Sequence, residues 1–212
     1  MGWRVLGSLN PSVGDQRMLA AIILTGGASS RMGSPKALLP YQGRPFLEHL
    51  LEVVQNPRIG VRRVVLGAHS EPITNAVALN SSEIVINSDW EKGQLSSIRA
   101  GIRSLPAGTD GILLCLVDHP LITETLVNGL IDQFYATRAP IVLPVFEGKR
   151  GHPVIFSAAL YRELESAPDD IGARSVVWAH AKEISEHQTF EEGCVLNLND
   201  PKAFERLTGT PE

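Results

Sequence analysis

Long apolar runs are missing from this chain. No stretch approaches the roughly 20 residues that a membrane-spanning helix needs, so no membrane partner is expected. A basic excess is missing too: Lys and Arg number 19 against 23 Asp and Glu, for a net charge of −4. Proteins that bind nucleic acid gain affinity by neutralising backbone phosphates and carry a basic patch or stripe. Its absence excludes that class, and any phosphate bound here is expected to belong to a small ligand met by a local cationic pocket. Cysteine is scarce. Cys115 and Cys194 both lie in apolar, strand-like runs, show no metal-ligand spacing and form no disulfide framework. They read as small buried hydrophobes in a reducing compartment. Residues 1–18, punctuated by Gly, Pro and Ser, lack the uninterrupted apolar stretch of a secretory signal. They read as an N-terminal extension, and the chain is expected to be cytoplasmic. There is no internal repeat, low-complexity tract or linker.

What is present is an ordinary globular composition, 43% hydrophobic and 20% charged over 212 residues, enough for one α/β domain over 19–212. Short apolar runs bounded by Gly, Pro or Asp alternate with segments of helical period. Strands are expected at 19–24, 63–66, 83–87, 111–117, 140–145 and 153–156, with a further strand-like run at 194–198. Helices are expected at 46–54, 73–79, 95–105, 123–138, 157–166 and 172–181, with Thr123 as a cap. Pro201 is expected to open a last helix at its favoured first position. This alternation predicts a three-layer α/β/α single domain with a mostly parallel, Rossmann-like sheet. In such sheets ligands sit beyond the carboxyl ends of the strands, so the chemistry is to be sought just after strands.

The first strand runs into Thr25-Gly26-Gly27-Ala28-Ser29-Ser30-Arg31-Met32-Gly33-Ser34-Pro35-Lys36. Glycines let the backbone approach a ligand closely, successive N–H groups can cradle an anion, and Arg31 and Lys36 add charge suited to a triphosphate. The segment matches neither GxxxxGK[ST] nor GxGxxG, and Pro35 and Pro40 oppose a long helix directly after the glycines. On its own it reads equally as a solvated turn. Asp118, in Leu116-Val117-Asp118-His119-Pro120, follows the most strand-like run. It suits Mg²⁺, which takes oxygen ligands and keeps several waters, or it caps a turn before Pro120. His119 reads as orienting or incidental. Gly148-Lys149-Arg150-Gly151-His152-Pro153 reads as a Gly-rich hairpin turn. Asn199, in Asn197-Leu198-Asn199-Asp200-Pro201, reads as a second metal ligand or a helix cap.

The ordered series of LTGGASSRMGSPKALLPYQGRPFLEHL from residue 24, NSDWEKGQLSSI from 87, LVDHP at 116–120, RGHPVIF at 150–156 and DIGAR at 170–174 resembles the MobA-like NTP transferases. It is most similar to their MocA-type molybdenum cofactor cytidylyltransferase branch. The resemblance covers about residues 19–207. It implies a fold of the nucleotide-diphospho-sugar transferase type and a Mg²⁺-dependent nucleotidyltransferase. Such an enzyme moves a nucleoside monophosphate from an NTP to a phosphorylated small molecule such as molybdopterin. It further implies that Leu24, Thr25, Gly26, Gly27 and Lys36 bind the nucleotide together with Asn87, Gly93, Ser96 and Ser97. Catalysis would fall to Lys36, Arg31 and Asp118, the acceptor to Gly151, His152 and Pro153, and the metal to Asp118 and Asn199. A molybdenum-enzyme apoprotein is a possible partner. Leu24-Thr25-Gly26-Gly27 and Asn197-Leu198-Asn199 are closer to the guanylyl branch, whereas Gly151-His152-Pro153 and Gly172-Ala173-Arg174 are closer to the cytidylyl branch. The base is therefore CTP or GTP, with CTP favoured.

Overall fold

The computed structural model describes residues 18–25, 27 and 34–198. Ten strands and six α-helices are found among them. The first strand, β1 (Leu19–Leu24), is buried at every position. After it a short hairpin, β2 (Pro40–Tyr41) and β3 (Arg44–Pro45), turns through Gln42 and Gly43, both at positive φ. Then come α1 (Phe46–Val53), β4 (Ile59–Leu66), α2 (Ser70–Ala76), β5 (Ile84–Ile86), α3 (Gln94–Arg103) and β6 (Gly111–Leu116). The second half carries α4 (Glu124–Thr137), β7 (Ile141–Phe146), β8 (Lys149–Arg150), β9 (Val154–Ser157), α5 (Tyr161–Ser166), α6 (Arg174–Ala179) and β10 (Ile184–Gln188).

The main sheet runs β10-β7-β9-β6-β1-β4-β5, with β8 paired to β7. β1 pairs in parallel with β4 and β6, β4 with β5, and β7 with β10. Only β9 and β8 run against their neighbours. The sheet is mostly parallel, as the βα alternation predicts.

Because side chains alternate across a strand, β1 supplies both cores. Leu19, Ala21 and Ile23 pack with Phe46, Leu47 and Leu50 of α1, Ile73 of α2 and the apolar face of α4. Ala20, Ile22 and Leu24 pack on the other face with Leu95, Ile98 and Ile102 of α3, Leu164 of α5 and Val176 of α6. Each large side chain so buried contributes roughly 1.5–3 kcal/mol. The helices connecting β1 to β4 and β4 to β5 thus lie on one face, and the one returning to β6 lies on the other. This is the arrangement that right-handed crossovers demand when the direction of strand addition reverses. Among the described residues, no helix is long and apolar enough to cross a membrane.

Several boundaries differ from expectation. β4 starts at Ile59 instead of 63, because the polar residues Arg62 and Arg63 sit in a half-buried edge of the strand. The helix expected at 157–166 is divided: β9 extends to Ser157, and a 3₁₀ turn, Ala158–Leu160, precedes α5. The strand-like run at 194–198 does not form a strand. Cys194 closes a 3₁₀ turn, Glu192–Cys194, whose carbonyl accepts from the His152 N–H at 2.8 Å. The last strand is instead β10, whose sequence ISEHQ has few apolar residues because it is an outer strand paired only with β7. Thr123 caps α4 as expected, its hydroxyl accepting from Leu126 N at 3.1 Å. The helix expected from Pro201 lies outside the described residues.

Candidate active site

β1 has β4 on one side and β6 on the other, and the chain moves outward from β1 to β4 and β5 before returning to β6. Such a reversal opens a crevice beyond the carboxyl ends of the two central strands, where ligands of open α/β sheets bind. The chain leaves β1 at Thr25 and leaves β6 through Val117 into Asp118. Thr25, at the start of the glycine segment, and Asp118 therefore flank one crevice.

Lys36 opens a 3₁₀ turn, Lys36–Leu38, fixed by Leu38 N–H to the Pro35 carbonyl (2.9 Å) and Leu39 N–H to the Lys36 carbonyl (3.1 Å). Ala37 is fully buried in the core and anchors the turn. This short turn, followed by the β2–β3 hairpin, bears out the expectation that Pro35 and Pro40 prevent a long helix here. It brings Lys36 Nζ to 3.8 Å from Asp118 Oδ2, with the side chains 16% and 21% exposed. A charge-assisted hydrogen bond is about 2.7–2.9 Å long. The two groups thus face one shared space and are not locked together.

Leu24 is buried at the end of β1. The Thr25 hydroxyl donates to the Val65 carbonyl at 3.0 Å, so it fastens β1 to β4 and leaves only backbone for a ligand. Among the described residues, a Cβ built on Gly27 would meet no atom within 4 Å. Gly26, Arg31 and Asn199, three of the expected site residues, lie outside the described residues.

Asn87, Gly93, Ser96 and Ser97 are brought together at the end of β5 and the start of α3. The buried Asn87 amide donates to Ser96 Oγ (2.8 Å) and Ser97 Oγ (2.9 Å), and its carbonyl oxygen accepts from Asp89 N–H (3.0 Å). Ser96 Oγ in turn donates to the carbonyls of Asp89 and Gly93. Gly93 has φ 99° and ψ −177°, a backbone region essentially confined to glycine, and open space where a Cβ would stand. These side chains build the turn that starts α3, and their polar atoms bond to one another.

Gly151, His152 and Pro153 reach the same edge because β9 runs backward: its start lies where the parallel strands end. A Cβ on Gly151 would run into the Cys194 carbonyl, so glycine is needed for this close approach. The His152–Pro153 peptide is cis. The His119 and His152 rings lie with centroids 5.0 Å apart, tilted by 46°. Nδ1 of each is buried with no hydrogen-bond partner among the described residues. Burial, above all, pushes the His152 imidazole down to about 4, helped by His119 and by the charge of Arg174 and opposed by Asp118. Burial likewise lowers His119; Lys36 adds to this, while Asp118 and a hydrogen bond to the Cys194 carbonyl work against it. Both rings are neutral near pH 7. Asp118 is tied to the C-terminal segment by its carbonyl, which accepts from Leu198 N–H at 2.8 Å. Cys115, within β6, is fully buried, and that burial pushes its thiol up to about 12, so it serves as packing and not as a nucleophile.

The sequence gives His119 an orienting or incidental role and Arg174 no role of its own; the fold sets the His119 ring 5.0 Å from that of His152, and the charge of Arg174 acts on His152.

A family model described as MobA-like NTP transferase domain matches residues 21–184. The chain belongs to the MobA-like NTP transferase family. It is 33% identical over 172 residues to the nicotine blue oxidoreductase of Paenarthrobacter nicotinovorans, covering 76% of this chain and 81% of that one. It is 30% identical over 133 residues to a probable molybdenum cofactor guanylyltransferase of Bacillus anthracis, covering 62% of this chain. The chain spans 64% of the length of that Bacillus relative. The crystal structure of Rv0371c from Mycobacterium tuberculosis superposes with a TM-score of 0.80 at 25% identity, covering 92% of this chain and 98% of that one. The chain thus carries a MobA-like NTP transferase domain and shares the fold of its solved neighbour.

Proposed function

We propose that this MobA-like protein transfers a nucleoside monophosphate from CTP or GTP to the terminal phosphate of molybdopterin and releases pyrophosphate. The observation that carries the reading is the 3.8 Å approach of Lys36 Nζ to Asp118 Oδ2 at the reversal point of the sheet. A cation for phosphate oxygens and a carboxylate for a divalent ion there face the same crevice.

The reaction asks little of the protein in covalent terms. An oxygen of the acceptor phosphate, already ionised near neutral pH, attacks the α-phosphorus in line. A new P–O bond forms, and the bond from the α-phosphorus to the bridging oxygen breaks with its electron pair leaving on pyrophosphate. No strong general base is needed, in keeping with the burial that lowers the basicity of His119 and His152. The obstacle is the mutual repulsion of two anions, so positioning and charge neutralisation dominate. Lys36 offsets charge on the α-phosphate, a role the family resemblance gives Arg31 as well, and the Asn87–Ser97 turn holds the nucleotide side of the crevice.

Asp118 fits Mg²⁺ chemically. It is a partly exposed hard oxygen donor, and among the described residues no group of three or more acidic, His or Cys side chains forms a closed cage. That suits an ion which shares its ligands with water and substrate phosphates. Held by Asp118 and Asn199, Mg²⁺ would supply neutralisation of phosphate charge when bound.

A pyrophosphate-release assay with each of the four NTPs, molybdopterin and Mg²⁺ tests the reading. Release that needs both molybdopterin and CTP or GTP is expected, and no release with any NTP overturns it. Guanylyl transfer is the second reading, favoured by the Leu24-Thr25-Gly26-Gly27 motif and by the name of the Bacillus relative. Release with GTP and not CTP selects it.

A further inference from the structure

A cavity lies at the edge of the sheet opposite the crevice. It has a volume of about 170 Å³, sits between the last turn of α4 and the ends of β6 and β9, and is lined by Asp110, Phe134, Tyr135, Arg138 and Ser157. Asp110 stands just before β6, and Asp118 lies beyond its other end. The 6 residues of that strand separate the two places by roughly 20 Å, at about 3.3 Å per residue. None of the residues that line the cavity belongs to the crevice.

Opposite charges border this cavity without cancelling. Asp110 and Arg138 both line it, yet neither makes an ion pair among the described residues. Arg58, Arg62 and Arg99, by contrast, each hold a carboxylate. A carboxylate and a guanidinium that share one space but do not pair leave two charge-assisted hydrogen-bonding groups for a molecule that carries both signs.

The walls are fixed before anything binds. Asp110 donates its N–H to the Met18 carbonyl (3.0 Å), accepts from Ala158 N–H through its own carbonyl (2.8 Å), and accepts from the Tyr135 hydroxyl through Oδ2 (3.2 Å). The Arg58 guanidinium lies 5.4 Å from the centre of the Tyr135 ring and is itself paired with Asp132 at 2.8 Å. Phe134 meets Tyr135 edge-on, with centroids 5.2 Å apart. Arg138 ends α4 in the left-handed conformation, at φ 55°, with its N–H on the Phe134 carbonyl at 2.9 Å. Glycine is the usual residue at such a helix end; an arginine there sets a cation at the rim of the cavity. Walls held in this way lower the ordering cost of binding.

We propose that this cavity is a second ligand site, for a small free α-amino acid with a short apolar side chain. The α-ammonium group pairs with Asp110, the α-carboxylate takes the planar fork of Arg138, and the side chain lies against Phe134 and Tyr135. The size agrees: a cavity of about 150 Å³ admits benzene. A phosphate is disfavoured by Asp110 and a simple cation by Arg138, so the site takes neither substrate of the transferase. The inference does not depend on the nucleotidyltransferase reading, and binding alone tests it.

The test uses the full chain, isotopically labelled, titrated with glycine, L-valine and L-leucine and followed by the backbone amide signals in NMR. Shifts centred on Asp110, Tyr135, Arg138 and Ser157 are expected, with the signals of Asn87 and Ser97 unmoved. N-acetyl-L-valine, which lacks the ammonium group, and L-valinamide, which lacks the carboxylate, should each bind about tenfold or more weaker than L-valine. The two losses should be specific. Arg138→Gln should weaken L-valine about tenfold and leave L-valinamide unchanged, whereas Asp110→Asn, which keeps an oxygen for the Tyr135 hydroxyl, should weaken L-valine and leave N-acetyl-L-valine unchanged. No binding by any of the three amino acids, shifts centred elsewhere, or derivatives that bind as well as L-valine overturn the proposal.

Discussion

Two polar clusters lie along the same edge of the sheet, and they are built on opposite principles. In the Asn87 turn every polar atom of the central amide is engaged: two serine hydroxyls and one backbone N–H. Around Asp118 the contacts are looser: Lys36 Nζ lies 3.8 Å from Asp118 Oδ2, and two imidazole nitrogens have no partner among the described residues. A closed network rigidifies its surroundings, whereas an open one in a low-dielectric crevice is completed by a ligand. The first cluster is scaffold for the site and the second is where chemistry takes place, so substitutions in the two should fail differently.

The largest effect is expected at the open cluster. Asp118→Asn should lower kcat by about a thousandfold while the melting temperature stays near that of wild type. Pyrophosphate release and thermal denaturation on the same preparation check both halves, and normal turnover would remove Asp118 from the chemistry. Lys36→Ala should follow with a loss of about a hundredfold, seen in single-turnover rates and not chiefly in the KM.

A third prediction concerns acid. His152 titrates at about 4 in the folded chain and near 6.5 when unfolded. Below pH 6.5 the unfolded chain takes up the proton first, so stability falls as pH drops from 6.5 towards about 4 and is unaffected by this group above 6.5. The full loss is on the order of 3 kcal/mol. Urea unfolding across that range should show a shallower decline in His152→Gln than in wild type, and parallel declines would contradict the assigned burial. The smallest functional effect is expected at the closed cluster. Asn87→Ala should cost about 1–3 kcal/mol of stability through the polar groups left unpaired. Its single-turnover rate should stay within about threefold of wild type, because no atom of Asn87 is free to act on substrate.

Much of this organisation was legible in the sequence for identifiable reasons. β1 and β6 are strands buried on both faces, so they read as uninterrupted apolar runs. α4 announces itself through Thr123 and helical periodicity. The residues ending β1 and β6 could be placed at the ligand edge by topology alone. β10 was missed because an outer strand buries only part of one face, leaving ISEHQ with little apolar signal. The run at 194–198 misled for the converse reason: its apolar residues pack over the edge of the sheet beside Gly151 without joining a ladder. Local spacing could identify Asp118 and His152 separately. That the His152 ring stands beside His119, next to Asp118, depends on β9 running backward, which is a long-range fact.

The account stands or falls on the shared space between Lys36 and Asp118. Crystals grown with a non-hydrolysable NTP analogue and Mn²⁺ in place of Mg²⁺ would test it directly through anomalous scattering. The predicted result is a metal peak bonded to the Asp118 carboxylate, with the α-phosphate against Lys36 Nζ. A nucleotide bound with its phosphates away from Lys36, or a metal peak remote from Asp118, would contradict it.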